Sequence, residues 1–144
     1  MKVSSSTKGF VAGMVVLVVI AVAAIPQANR KAVIVQKEFE SIPLPADTVS
    51  ISTRENHKPG AAFRSSTLNS TKRPEELWDF YKRELANLGW FLCEQKSVER
   101  SNENRWVAVY CKNDLEARVE LPRERYVSGQ LSYSVSVSWS WRIP

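Results

Sequence analysis

Apolar residues recur along this chain at two periods, and the period switches where one kind of element gives way to another. From Pro74 to Trp90, PEELWDFYKRELANLGW, Leu77, Trp78, Phe80, Tyr81, Leu85 and Leu88 fall on one side of a helical wheel, while Glu75, Glu76, Asp79, Lys82, Arg83 and Ala86 fall on the other. One face of this helix must be buried. Its three aromatic residues and three leucines contribute on the order of 10 kcal/mol of transfer free energy if covered. Pro74 suits the first helical turn, Glu75 and Glu76 stand beside the positive end of the helix dipole, and Gly89 supplies the left-handed residue that ends the helix. Trp90 then opens a strand.

Elsewhere the period is two. Gln130 to Arg142 puts Leu131, Tyr133, Val135, Val137, Trp139 and Trp141 on one face and five serines on the other. Such a strand outruns a small sheet, so Trp139 and Trp141 are expected either to pack under the helix or to form an exposed aromatic contact surface. Shorter strands are expected at Thr48–Thr53, Ala61–Leu68, Trp90–Val98, Arg105–Lys112 and Leu115–Leu121, with Arg54–Gly60 as a loop. The fold class expected is therefore α+β: one main helix packed on an antiparallel sheet, in the order β-β-α-β-β-β-β, preceded by an N-terminal hydrophobic helix.

Two cysteines fall within the Trp90–Lys112 hairpin. A hairpin symmetric about Asn102 places Cys93 opposite Cys111, where a cross-strand disulfide can form. An even cysteine count in an exported chain favours that bond. Two cysteines and one distant histidine do not make a closed metal site, and no CxxC marks a redox centre.

Export itself is read from the N-terminus. Phe10 to Ile25 is an uncharged apolar run behind Lys2 and Lys8 that ends at Pro26. It reads as a single-pass membrane anchor or a signal segment, and both place the remainder outside the cytoplasm. The division expected is residues 1–25 as anchor or uncleaved signal, 26–41 as stalk and 42–144 as one extracytoplasmic domain, with membrane contact through residues 10–25. The formal net charge is +5, and removing residues 1–25 leaves 18 bases against 15 acids, or +3. Bases and acids are interspersed, which gives no nucleic-acid footprint. Arg30, Lys31 and Lys37 offer a loose attraction to anionic lipid heads.

Gly9-Phe10, followed by an apolar run that closes in Ala-Ala-Ile-Pro-Gln, resembles the N-terminus of type IV prepilins and related pseudopilins. Met14 occupies the position where that family has a glutamate. A second resemblance covers residues 42 to 112. Pro43, Pro45, Phe80, Tyr81, Glu84, Leu85, Gly89 and Trp90 match a group of bacterial envelope domains, exported by a lipid anchor or N-terminal helix, with an FYxxELxxxGW helix ahead of a β-meander. That resemblance implies one helix on an antiparallel sheet and supplies no catalytic residue.

Chemistry is then sought residue by residue. There is no GxSxG, no HExxH and no phosphate-binding glycine loop. His57 lies between Asn56 and Lys58 with no neighbour that marks it as a base, and a solvent-exposed histidine is expected. Glu84 falls on the apolar side of the helical wheel between Leu77 and Phe80. It is expected to reach solvent or an arginine from the edge of the stripe, since an unpaired carboxylate is costly in a core. The function expected is a non-catalytic module of the bacterial envelope, tethered to the membrane, needing no cofactor or metal and meeting a protein partner. The alternatives are a pilin-like assembly subunit and a small enzyme using Glu84 or His57.

Overall fold

In a computed structural model the described residues are 29–100, 103–123 and 129–140. Residues 29–41 form a helix, α1. Six strands follow, interrupted by a second helix: β1 Thr48–Lys58, β2 Ala61–Ser70, α2 Pro74–Asn87, β3 Phe91–Arg100, β4 Glu103–Lys112, β5 Leu115–Pro122 and β6 Leu131–Ser140. All six strands join one antiparallel sheet in the order β1-β2-β6-β5-β4-β3.

This overturns the expected fold class. The sheet dominates the structure, and two short helices lie on it where one was expected. The residues expected to form a stalk supply the additional helix, α1: Val35 and Ile42 are buried in the core, and Ala32 and Phe39 pack against it. No helix among the described residues is long and apolar enough to cross a membrane. The N-terminal hydrophobic segment, residues 10–25, lies outside the described residues.

The core forms where the helices meet one face of the sheet. From α2 come Leu77, Tyr81 and Leu85; from β6, Leu131, Tyr133, Val135, Val137 and Trp139; from β5, Leu115, Ala117, Val119 and Leu121. Tyr81 and Tyr133 share a hydrogen bond of 2.9 Å between their hydroxyls inside this core, so each buried phenol meets its polar requirement in the other. Burial raises both phenols above their ordinary pKa, Tyr81 the more strongly.

Helix α2 ends as its sequence dictates. Gly89 adopts φ +82°, its N–H donates to the Ala86 carbonyl at 3.0 Å, and the Trp90 N–H donates to the Leu85 carbonyl at 2.9 Å. That bond pair closes the helix and aims the buried Trp90 into the core. At the other end the Glu76 carboxylate accepts the Arg73 backbone N–H at 2.8 Å. This bond holds the Glu76 carboxyl below its ordinary pKa.

Strand β1 is longer than expected. RENHK is polar throughout, which predicts a loop, yet Glu55, Asn56, His57 and Lys58 pair with Arg64, Phe63, Ala62 and Ala61. Ten of the strand's eleven residues are exposed. An edge strand outside the helix layer has solvent on both faces, so no alternation marks it.

The sheet's other face carries no helix among the described residues. Across it run Ser134, Ser136 and Ser138 of β6 beside Thr67, Ser65 and Phe63 of β2. Val107 and Val109 are buried even here. In the ladder Val107 stands between Lys96 and Glu120, and Val109 between Glu94 and Arg118, whose long stems shield the two valines while their charged ends stay in water.

Candidate functional site

Helix α1 runs above β2 and leaves β1 uncovered, which opens a groove floored by β2. Arg64 of β2 ties its two walls together. Its guanidinium meets Glu55 of β1 at 3.0 Å and Glu40 of α1 at 3.4 Å and lies 5.8 Å from the centre of the Phe39 ring. The guanidinium is planar and carries five donors, so one side chain can engage two carboxylates and an aromatic face together. Its Nε is buried and has no hydrogen-bond partner among the described residues.

Two hollows flank this tie. The first, about 170 Å³, is lined by Val33 and Gln36 of α1, Glu55, Asn56 and His57 of β1 and Phe63 of β2, among others. The second, about 190 Å³, is apolar in its lining by Phe39, Ile42, Leu44, Leu68 and Val135, with Glu40, Ser50 and Ser66 beside them. Ser66 is itself buried and shares a 2.7 Å hydrogen bond with Thr53 across the β1–β2 ladder. The site thus combines a polar hollow, a charged divider and an apolar hollow along one exposed strand edge. Beside that edge Val49 and Ile51 are 67% and 56% exposed. Unpaired strand backbone next to small shaped hollows is what protein partners use when they dock along a sheet edge.

The start of α1 is held to the opposite wall of the sheet. Lys31 forms an ion pair with Asp114 in the β4–β5 turn, and the Trp139 indole N–H donates to the same carboxylate at 2.9 Å. The lysine's hydrogen bond holds the Asp114 carboxyl below its ordinary pKa. Further along, Lys112 meets Glu38 at 2.8 Å.

The residues singled out from sequence are dispersed. His57 is an exposed β1 residue that lines the polar hollow. Glu84 sits on α2, its side chain 25% exposed and paired with Arg83 at 2.9 Å. Trp139 is 4% exposed, so it belongs to the core and offers no contact surface; Trp141 lies outside the described residues. Among the described residues, no three His, Cys, Asp or Glu side chains are grouped as metal ligands would be.

Cys93 and Cys111 are joined by a disulfide, with Cα atoms 5.9 Å apart. The register differs from that of a hairpin symmetric about Asn102. The ladder closes on Arg100 opposite Glu103, and a bulge between Leu92 and Glu94 then leaves Phe91 facing Cys111. Cys93 is the bulged residue, and the bulge turns it towards its partner.

Sequence reasoning missed the groove itself because its walls come from segments expected to be stalk and loop. The signal for one wall was present: Ala32, Val35, Phe39 and Ile42 are spaced as one face of a helix. No protein-family model matches the chain, and no curated protein matches it.

Proposed function

We propose that this chain is a non-catalytic module of a bacterial envelope, tethered to the membrane through residues 10–25, whose extracytoplasmic domain takes a protein partner along the groove between α1 and β1. The observation that carries this reading is the exposed eleven-residue edge of β1 beside a groove tied across by Arg64. The Cys93–Cys111 bond supports an oxidising compartment. The apolar run behind Lys2 and Lys8 supports the tether.

The test is photo-crosslinking in native membranes from a benzoylphenylalanine at His57, which pairs with the core residue Ala62 and lines the groove, with Gln95 on the opposite edge strand as control. The reading expects a reproducible protein adduct from position 57 that weakens in Arg64→Ala, where the groove loses its tie. No adduct from 57, or adducts from 95 alone, would sink it.

One observation favours a second reading, the pilin-like subunit. Helix α1, described from Asn29 onward, lays Val35 and Phe39 onto the sheet. A pilin-like subunit needs such a helix beneath its globular part, together with processing between Gly9 and Phe10.

A further inference from the structure

The exposed apolar residues are not spread evenly over the molecule. Of eight large apolar residues exposed among those described, Val33, Ile34, Phe63, Phe91 and Leu92 lie towards one end of the sheet; Leu44, Val49 and Ile51 lie towards the other. The first end holds the β1–β2 and β4–β5 turns, the start of β3 and the finish of β6. It is also the end where α1 begins, because Lys31 is paired with Asp114 of the β4–β5 turn.

The register sets the geometry of this end. Phe63 pairs with Ser138, Ser138 with Glu116, Glu116 with Cys111 and Cys111 with Phe91. The two phenylalanines therefore occupy one row on the helix-free face, four strand spacings or about 19 Å apart. Phe91 is 63% exposed and Phe63 38% exposed, and Glu116 lies half-buried in the row between them. Beside Phe63, Val33 lines the same hollow. Arg30 and Lys58 are exposed at this end, whereas the carboxylates of Asp114, Glu38 and Glu55 are each engaged by a cation of the fold. Among the described residues at this end, the charge left over is positive.

The apolar run of residues 10–25 lies just ahead of the described part of α1 in the sequence. Ile25 stands four residues before Asn29, the first described residue of α1, a reach of about 14 Å at most, so whatever holds Ile25 also holds this end of the sheet. Together these observations point to one occupant. We infer that the domain rests end-on against the membrane, with Phe63, Phe91 and Val33 in the headgroup layer and Arg30 and Lys58 against anionic lipid phosphates. The inference rests on the tether proposed above. It adds an orientation: the strand ends of the groove face the bilayer, and Val49 and Ile51 stand away from it.

The experiment uses the full chain in vesicles of phosphatidylcholine, with and without phosphatidylglycerol. Benzoylphenylalanine is placed at Phe63, at Phe91 or at Ile51. Lipid adducts are expected from 63 and 91 and not from 51, and Lys58→Ala should lower the yield at 63 about fivefold in the anionic vesicles only. Adducts absent from 63 and 91 in a chain that stays with the vesicles through alkaline carbonate overturn the orientation and leave the tether standing. Equal labelling at 51, or adducts to a second copy of the chain in place of lipid, overturn it as well. Release of the chain by carbonate removes the tether and, with it, this orientation.

Discussion

Cys93 is bonded to Cys111 although Phe91 is the residue that stands opposite Cys111 in the β3–β4 ladder. The bulge at Cys93 is what reconciles the two, and the bond in turn pins the bulge at the start of an edge strand. The bond closes a loop of sequence separation 18, so reduction or Cys93→Ala/Cys111→Ala should cost about 3 kcal/mol. Urea unfolding with and without reductant checks this. A loss near zero would mean that the hairpin holds its register without the bond.

Helix α1 is part of the domain and not a spacer, which two neighbouring valines can test. Val35 is 2% exposed and Val33 is 66% exposed. Val35→Ala deletes two buried methyl groups and should destabilise by about 2 kcal/mol, while Val33→Ala should cost under about 0.5 kcal/mol. Equal small effects would return residues 29–41 to the role of a stalk.

The tyrosine pair gives an alkaline limb. Both phenols are raised by burial, so the folded state keeps protons that the unfolded chain loses above about pH 10. The unfolded state then binds fewer protons than the native one, so stability is full below about pH 10 and falls as pH rises beyond it. Tyr81→Phe should cost about 1 kcal/mol at neutral pH by removing the Tyr133 hydroxyl's 2.9 Å partner, and the double phenylalanine variant should cost less than the sum of the single changes. Urea midpoints from about pH 8 to about pH 11 should show a shallower alkaline decline in the double variant.

Gly89 has open space where a side chain would begin: nothing beyond its immediate surroundings lies within 4 Å of that point, and φ is +82°. The cost of Gly89→Ala is therefore conformational alone, about 1 kcal/mol. A thermal melt that leaves the midpoint unchanged would contradict the helix-ending role of this residue.

How much of this was legible beforehand depended on whether a segment buries one face. Helix α2 and strand β6 do, and Leu77, Tyr81 and Leu85 in one, or Leu131 to Trp139 in the other, announce themselves by period. Strand β1 buries neither face, so RENHK carried no pattern to read. Helix α1 does bury a face, but Lys31 and Glu38 sit on the same side as Val35 and find their ion-pair partners in Asp114 and Lys112. Those partners lie more than seventy residues away in the sequence, and without them the segment looks too polar to pack. Glu84 lies beside Arg83, its neighbour in the sequence, with its side chain 25% exposed. The disulfide pairing was legible while its register was not, since a bulge adds a residue to one strand and leaves no mark in the pattern of the other.

The claim on which the rest depends is that the chain is a tethered, disulfide-closed extracytoplasmic module. Its most direct test is the intact mass of the protein taken from the membrane fraction of its native host and alkylated without reduction. A chain that begins at Met1 and carries no alkyl group is the predicted result. A chain that begins at Phe10 would make it a pilin-like subunit, and a soluble chain that begins near Ile25, or two alkylated thiols at Cys93 and Cys111, would contradict the account.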